Sequence, residues 1–186
     1  MVDLKEFEQK AADLRVLGMK ISIGQDTVYE KYWDEDCRRN IYSASKSFTS
    51  CAVGFAVQEG LIDLDERLVD AFKEDIPNNP DENLKKATVK DLLTMTLGQE
   101  KGFLMGKQRP RMEEQNWVKA SLAIPFVYEP GTHFVYNNVG PYLAGIMVQR
   151  RAGCDLLSYL TPRLLKPLGI RKTIWEVDPE GNTFGA

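Results

Sequence analysis

The stretch 41–58, IYSASKSFTSCAVGFAVQ, constrains the fold of this chain more than any other part because it is almost free of charge. Lys46 is its only ionisable side chain apart from the weakly acidic Tyr42 and Cys51. We expect a helix that ends near Gly60, and a helix that is apolar around most of its circumference is usually buried. The rest of the chain should therefore pack around it, with Cys51 inside as a small hydrophobic residue.

Ser43 and Lys46 form a Ser-x-x-Lys pattern at the start of this helix. Residues three apart share a helix face, so the hydroxyl of Ser43 and the amine of Lys46 are expected within hydrogen-bond reach of each other. Burial lowers the pKa of a lysine, and a neutral amine beside a hydroxyl is a workable general base. Backbone N–H groups at the helix N-terminus would stabilise an oxyanion next to Ser43. The bare pattern is weak evidence, because roughly half of chains with this composition contain it by chance.

A second pattern gives the first one its context. Residues 130–140 read PGTHFVYNNVG, and at this point the chain resembles the superfamily of serine β-lactamases and penicillin-binding proteins. It is most similar to the branch of class C β-lactamases, D-alanyl-D-alanine carboxypeptidases and esterases. That branch carries Ser-x-x-Lys, then Tyr-x-Asn within P-G-x-x-F-x-Y-x-N-x-G, then a Lys-Thr-Gly or His-x-Gly strand. The first two motifs are present here in that order.

The resemblance covers nearly the whole chain. Met95 and Leu97 depart from the L-L-T-H-T-S-G block of the family, where histidine and serine are usual. The stretches that resemble family passages are 46–49 (KSFT), 59–65 (EGLIDLD), 89–98 (VKDLLTMTLG), 165–170 (LKPLGI) and 178–182 (DPEGN). Together with the two motifs, they identify the chain as a member of this family.

The resemblance implies a role for each matching residue. Ser43 would be the acylated nucleophile, and Lys46 would share or take its proton. Tyr136 would act as the base in acylation and then donate a proton to the leaving group, while Asn138 would hydrogen-bond the amide on the acyl side of the substrate. Tyr136 needs cationic neighbours for this role, because the unperturbed pKa of a tyrosine is about 10. No metal or organic cofactor is implied.

The implied fold is α+β and β-lactamase/transpeptidase-like, an antiparallel sheet with a helical subdomain. We expect one incomplete domain over 1–186, with an N-terminal helix, hairpin and catalytic helix in 1–63, a mainly helical subdomain in 64–170, and the return towards the sheet beginning in 171–186. The N-terminal hairpin is present, whereas the C-terminal strands and the third motif are missing from this chain. That strand normally supplies the second oxyanion N–H group, so the 186 residues alone are expected to show no appreciable turnover.

Hydrophobic periodicity and turn residues predict the local elements. The predicted elements are a helix from an Asp3–Glu6 capping box to Leu14, strands 19–23 and 27–33 around the turn 24–26, helices 87–96, 112–122, 139–152 and 155–165, and a short strand 172–176. Gly153 is expected to close the helix 139–152, because glycine is the usual residue after a helix end.

Composition narrows the function classes. The net charge is −3, with 27% charged and 43% hydrophobic residues, which gives no reason to expect a nucleic-acid partner. No stretch reaches the ~18 apolar residues needed to cross a bilayer, and the charged N-terminus does not resemble a signal peptide. We therefore expect a cytoplasmic protein without a membrane partner. The 3 cysteines are unpatterned and predict neither disulfides nor a zinc site. The basic pairs 85–86 and 150–151 are expected at the solvated surface.

These patterns predict a serine hydrolase that forms an acyl-enzyme at Ser43 with a small-molecule ester, amide or β-lactam. Without export, peptidoglycan is out of reach, which favours an esterase or a small-amide hydrolase. The alternative is a non-catalytic fragment or degraded family member with a binding or structural role. His133 is the single histidine and leaves a Ser-His-Asp triad open in principle. The loop 103–111 is expected to be exposed and to border the substrate entrance. The substrate and the oligomeric state are left open.

Overall fold

The structure is a computed structural model that describes residues 3–11, 13–35 and 37–186. The chain forms two compact units, Met1–Asn40 and Ile41–Ala186. The smaller unit contains a helix and a β-hairpin, and the larger one is mainly helical. The chain is therefore α+β, with an antiparallel two-stranded sheet, as predicted.

The smaller unit contains the predicted hairpin. Its elements are the helix α1 (Lys5–Ala11) and the strands β1 (Gly18–Ile23) and β2 (Asp26–Tyr32). The strands pair antiparallel, from Gly18 opposite Tyr32 to Ile23 opposite Asp26. Two-residue hairpin turns that match the twist of the strands need a positive φ at their first position. Gly24 supplies it, with a φ of 63°.

Side chains of α1 contact the hairpin. The hydroxyl of Tyr29 donates to the carboxylate of Glu8 at 2.9 Å, and Lys31 forms an ion pair with the same carboxylate. Phe7 meets Trp33 edge to face, with 6.0 Å between the ring centroids. One face of α1 is thus held on the hairpin by both polar and aromatic contacts.

The predicted capping box of α1 is only half formed. The carboxylate of Asp3 accepts the backbone N–H of Lys5 at 3.1 Å. The carboxylate of Glu6 instead pairs with Lys10, one turn further along, at 2.7 Å. Leu14 lies beyond the end of α1 and is 67% exposed, so the predicted helix is too long.

The helices of the larger unit are α2 (Ser45–Gln58), α3 (Leu68–Ala71), α4 (Glu82–Lys86), α5 (Val89–Thr94), α6 (Trp117–Leu122), α7 (Val139–Ala152) and α8 (Leu156–Leu160). Short 3₁₀ turns lie at Tyr42–Ala44 and Arg109–Arg111, and a π-type turn lies at Thr161–Leu165. Among the described helices, none is long and apolar enough to cross a membrane.

The helix α7 is the centre of the larger unit. Every residue from Val139 to Gln149 is buried, and α2, α5 and α8 pack against this helix. The helix α2 buries only one face, formed by Ser45, Thr49, Ala52, Val53 and Ala56. The predicted burial of the helix in 41–58 is therefore confined to one face. Cys51 lies on the other face and is exposed, so its predicted burial is wrong.

The helix α7 approaches α5 closely because Gly140 has no side chain. A Cβ atom at position 140 would lie 2.3 Å from the carbonyl oxygen of Leu92 in α5. The N–H group of Gly140 is bound by the side-chain oxygen of Asn137 at 3.1 Å. Gly153 ends the helix with a φ of 68°. The predicted helix 139–152, closed by Gly153, is confirmed.

The C-terminal segment is fastened to this core by aromatic rings and one carboxylate. The ring of Phe184 lies 5.7 Å from Trp117 and 5.6 Å from Tyr142, measured between centroids. The buried hydroxyl of Tyr142 donates to Asp178 at 2.7 Å. Burial, and then this hydrogen bond to a carboxylate, raise the pKa of Tyr142 far above its usual value. The phenol therefore stays neutral and holds Asp178 against α7.

The predicted strand 172–176 does not form. A strand needs hydrogen bonds from a neighbouring strand, but here the chain turns back on itself. Val177 bridges to Thr183, and the N–H group of Phe184 donates to the carbonyl of Glu176 at 2.8 Å. The C-terminal segment is therefore a loop that bonds to itself and to α7.

The predicted helices 87–96 and 112–122 are present in shorter form as α5 and α6. The predicted helix 155–165 is present as α8 continued by the π-type turn Thr161–Leu165. Thr88 and Asp91 form a capping box at the start of α5, and Met95 ends it with a φ of 57°. Asn116 starts α6 by accepting the N–H group of Lys119 at 2.8 Å. Capping side chains determine where α5 and α6 begin, whereas the sequence pattern used for the prediction extends beyond those residues.

Of the basic pair at 150–151, Arg150 is exposed, as predicted, and Arg151 is partly buried, and both form ion pairs. Arg150 donates to Asp75 at 2.6 Å. Arg151 donates to Glu66 and to the carbonyl of Leu61, both at 2.7 Å. These contacts join the last turn of α7 to the segments that follow α2 and α3.

We expect Gly140→Ala to destabilise the protein by about 1–3 kcal/mol, the usual cost of forcing an extra carbon into a packed contact. Gly54→Ala is the matched control, since a Cβ at position 54 in α2 would meet nothing within 4 Å. That change should leave stability unchanged or raise it by up to about 1 kcal/mol, because alanine favours helices. Urea unfolding of both variants measures the difference, and equal stabilities would contradict the close approach of α5 and α7.

Candidate active site

Ser43 lies in the turn that leads into α2. This 3₁₀ turn spans Tyr42–Ala44, and α2 begins directly after it, at Ser45. The sequence predicted Ser43 on the helix itself. Tyr42 has a φ of 46°, which is uncommon for a bulky residue, and strained backbone of this kind clusters at functional sites. The side chain of Ser43 is exposed and open to a reagent.

Lys46 joins the two sequence motifs. It lies in the first turn of α2 and is half-buried. Its Nζ donates to the Oγ of Ser43 at 3.1 Å and to the Oδ1 of Asn138 at 2.8 Å. Lys46 and Asn138 are 92 positions apart in the sequence. The predicted contact between Ser43 and Lys46 is present, but the amine is less buried than the sequence indicated.

Tyr136 lies beside Lys46, whose Nζ is 5.3 Å from the centroid of the tyrosine ring. The hydrogen bond with Ser43 is the largest cause that lowers the pKa of Tyr136 below its usual value. Partial burial opposes this effect, and the hydrogen bond and charge of Lys46 add to it. The phenolate therefore forms at lower pH than in a free tyrosine.

Asn138 is the buried member of the cluster, with 7% of its surface exposed. It directly precedes α7. Its side-chain Nδ2 donates to the carbonyl of Leu104 at 2.9 Å, and its backbone N–H donates to the carbonyl of Phe103 at 3.3 Å. Because Nδ2 faces a carbonyl, Oδ1 is left to face Lys46.

Two glycines let the backbone of the second motif lie against its neighbours. A Cβ at position 102 would lie 2.7 Å from the carbonyl oxygen of Tyr136, and one at position 98 would lie 2.2 Å from that of Tyr128. The N–H group of Val135 donates to the carbonyl of Met95 at 3.0 Å. The segment after α5 thus supports the chain that carries Tyr136, and glycine is needed where the two backbones touch.

His133 lies outside the cluster. It is exposed, stacks on Tyr128 with 4.2 Å between ring centroids, and shares a hydrogen bond with Thr132 at 2.8 Å. The partners of Ser43 are instead Lys46 and Tyr136. The geometry therefore does not favour the Ser-His-Asp alternative.

The loop 103–111 contributes groups that sequence reasoning missed. Residues 106–108 and 110–111 are exposed, as expected, whereas Leu104 is fully buried and Arg109 is largely buried. The carbonyls of Phe103 and Leu104 hold Asn138. The one sequence signal was the glycine-flanked apolar run at the start of this loop, because backbone carbonyls leave no trace in residue identity.

The arrangement unites a hydroxyl, an amine, a phenol and an amide within hydrogen-bond distance. A nucleophile bonded to groups that exchange protons is the basic arrangement of covalent catalysis. Among residues 3–11, 13–35 and 37–186, no group of three or more His, Cys, Asp or Glu side chains could hold a metal ion.

Comparison with known sequences gives one family. A family model described as Beta-lactamase matches residues 5–183. The chain is 31% identical over 157 residues to monacolin J acid methylbutanoyltransferase of Aspergillus terreus, covering 74% of this chain and 37% of that protein. It is also 31% identical over 150 residues to lovastatin esterase of Penicillium rubens, covering 69% of this chain and 37% of that protein. The chain thus spans little more than a third of the length of these curated relatives.

Solved structures share the fold. The octameric penicillin-binding protein homologue from Pyrococcus abyssi has a TM-score of 0.69 and 24% identity, over 94% of this chain and 45% of that one. A class C beta lactamase has a TM-score of 0.68 and 19% identity, over 88% of this chain and 47% of that one. The predicted β-lactamase/transpeptidase-like fold is confirmed.

We expect the phenol of Tyr136 to ionise below the usual pKa of about 10. Ultraviolet titration of the wild type minus Tyr136→Phe isolates its phenolate signal among the 7 tyrosines. In a Ser43→Ala background the midpoint should move upwards, because the largest cause of the lowered pKa is removed. Ser47→Ala changes an exposed serine of α2 and should leave the midpoint in place. A wild-type midpoint at the usual value would contradict the geometry.

Proposed function

This chain belongs to the beta-lactamase family, and from that premise we propose that it carries the acylation site of a serine hydrolase or acyltransferase, with Ser43 as the nucleophile. The family acts on small-molecule ester, amide or β-lactam carbonyls. One observation carries the proposal: Ser43 accepts a hydrogen bond at 3.1 Å from Lys46, whose Nζ also lies 5.3 Å from the ring centroid of Tyr136. An exposed hydroxyl between an amine and a phenol of lowered pKa is an activated nucleophile.

Tyr136 is the proposed base. A hydroxyl has one proton to donate and lone pairs for incoming donors. Because Lys46 donates to the oxygen of Ser43, the proton of Ser43 is directed at the phenol oxygen of Tyr136. The lowered pKa of Tyr136 brings its phenolate closer to the working pH, as general base catalysis requires. Lys46, as the donor, keeps this arrangement oriented.

Acylation then follows in two steps. The Oγ of Ser43 attacks the substrate carbonyl carbon while its proton passes to the phenolate of Tyr136, which gives a tetrahedral intermediate. When this collapses, the bond from carbon to the leaving oxygen or nitrogen breaks, and Tyr136 returns the proton to the leaving group. The product is an ester of Ser43. Water or an alcohol, deprotonated by Tyr136, then attacks that ester. The bond from the carbonyl carbon to Oγ of Ser43 breaks, Tyr136 returns the proton to Oγ, and the acid or the new ester leaves.

Asn138 keeps a hydrogen for the substrate. Its amide nitrogen carries two hydrogens, and one of them is bound to the carbonyl of Leu104. The second can be donated to an acceptor on the acyl side of the substrate. The same residue therefore holds Lys46 through Oδ1 and can orient the acyl group through Nδ2.

An ester is the proposed substrate class. The two similar proteins are named for acyl transfer and for ester cleavage. Both names favour ester-type acyl groups over a β-lactam or a cell-wall peptide. The acceptor, water or an alcohol, decides between hydrolysis and transfer.

A non-catalytic role is the second candidate. A binding protein with this fold would keep the helices and tolerate loss of the Ser43 cluster. Reaction at Ser43 distinguishes the two candidates.

We expect a fluorophosphonate to label Ser43 and no other serine. The exposed hydroxyl with two proton-exchanging partners is the reason. Intact mass and peptide mapping identify the adduct. Ser43→Ala should abolish labelling, whereas Ser47→Ala, which changes an exposed serine of the same helix, should leave it intact. An adduct that maps elsewhere, or that persists in Ser43→Ala, would refute the assignment.

We expect Lys46→Ala and Tyr136→Phe each to slow acylation of Ser43 by at least ~10²-fold while the protein stays folded, in line with loss of proton-transfer help. Lys46→Arg should restore little, because the planar guanidinium cannot place a donor where the compact amine of Lys46 lies. Pre-steady-state release of p-nitrophenol from p-nitrophenyl acetate measures the step, with circular dichroism as the folding control. A near-normal rate in Tyr136→Phe would move the base role to Lys46.

A further inference from the structure

The guanidinium of Arg109 donates hydrogen bonds to Leu104 and to Glu176. Arg109 begins the 3₁₀ turn Arg109–Arg111, and 18% of its side chain is exposed. Its Nη1 donates to the carbonyl of Leu104 at 2.8 Å. Its Nε and Nη2 donate to the carboxylate of Glu176 at 3.2 and 3.0 Å. The guanidinium carbon also lies 4.4 Å from the ring centroid of Phe184. The guanidinium is therefore held by two hydrogen-bond acceptors and one aromatic ring.

The carbonyl of Leu104 is shared between Arg109 and the candidate site. It accepts Nη1 of Arg109 at 2.8 Å and Nδ2 of Asn138 at 2.9 Å. Leu104 is fully buried and has a φ of 55°. A left-handed backbone costs free energy for a leucine and persists only where the surroundings impose it. The two donors on its carbonyl are such a constraint.

The direction of this carbonyl fixes the amide of Asn138. If that amide were turned over, its oxygen would face the oxygen of Leu104 and its NH₂ group would face the ammonium of Lys46. Neither pair could form a hydrogen bond, since two acceptors or two donors would meet. The Leu104 carbonyl therefore keeps Oδ1 of Asn138 on Lys46, whose Nζ in turn contacts Ser43.

We propose that Arg109 is a positioning residue for acylation. By holding the carbonyl of Leu104, it fixes the amide of Asn138, and through that amide it fixes the amine of Lys46 beside Ser43. This inference rests on the proposed function of Ser43. Glu176 orients the guanidinium, so the C-terminal segment and the loop 103–111 act on the site through one side chain.

Arg163 provides a matched control because its contacts repeat those of Arg109. Its Nε and Nη2 donate to Glu59 at 2.7 and 3.1 Å, and its Nη1 donates to the carbonyl of Tyr159 at 2.9 Å. The guanidinium carbon lies 3.9 Å from the ring centroid of Tyr159. Glu59 directly follows α2, a helix of 14 residues that spans about 20 Å. The Arg163 cluster is therefore at the opposite end of α2 from Ser43.

The test measures both the rate constant of fluorophosphonate labelling at Ser43 and the fraction of the protein that becomes labelled. We expect Arg109→Met to lower the rate constant by on the order of ten- to a hundredfold, because small misplacements of catalytic groups have effects of this size. The labelled fraction should stay at its wild-type value. Arg163→Met should leave the rate constant unchanged.

A purely structural role of Arg109 gives a different result. Irreversibly misfolded molecules would not react, so the labelled fraction would fall while the folded remainder reacts at the wild-type rate. Reversible unfolding would slow labelling only in proportion to the folded fraction, which circular dichroism measures. Either outcome, or an equal loss of rate in Arg163→Met, overturns the inference. Arg109→Lys keeps a positive charge for Glu176 but loses the planar fork that reaches the carbonyl and the carboxylate together. It should therefore fold and still label slowly, and a wild-type rate constant would also overturn the inference.

The function of Ser43 and the role of Arg109 can be refuted independently. Labelling of the wild type at a residue other than Ser43 refutes the proposed function. Labelling at Ser43 with a wild-type rate constant in Arg109→Met leaves that function standing and removes only the role of Arg109.

Discussion

The hydrogen bond from Lys46 to Asn138 is the contact on which the rest of the candidate site depends. It links two residues that are 92 positions apart in the sequence, and it joins the first turn of α2 to the residue before α7. A bond with an ionised donor is stronger than a neutral one, and its acceptor here is buried. The bond also orients the amine, because Lys46 has free rotation about its stem and the buried amide has none. The position of the amine beside Ser43 is therefore set by a residue that is distant in the sequence.

The two neighbouring asparagines of the second motif have different roles: one stabilises the fold and the other stabilises the candidate site. Asn137 binds the N–H group of Gly140 and starts α7, while Asn138 turns the other way and binds Lys46. The missing side chain of Gly140 lets α7 lie against the backbone of α5. Because α7 is buried along most of its length, its starting point cannot shift without disturbing the core. The position of Asn138 is thus determined by the packing of the larger unit.

Two residues with a strained backbone lie next to the same cluster. Tyr42 precedes Ser43 and Leu104 holds Asn138, and both have a positive φ. Such conformations cost on the order of 1–3 kcal/mol each and survive where several contacts oppose relaxation. At Leu104 those contacts are the donors of Arg109 and Asn138. A site held by strain and by shared acceptors is rigid, which favours catalytic groups that must keep a fixed geometry.

The sequence by itself determined the features that depend on neighbours along the chain. The Ser43–Lys46 contact follows from helical spacing, the hairpin from Gly24 and two alternating runs, and the helix 139–152 from its apolar pattern and Gly153. Caps such as Thr88 with Asp91 could also have been found, because they too are local. Only the tertiary structure decided that α7 and not α2 lies at the centre, and that Cys51 is exposed. It also decided that Arg109 and Asn138 share the carbonyl of Leu104. The reason is physical: every residue carries the same backbone carbonyl, and the direction in which it points is set by packing between segments that are distant in sequence.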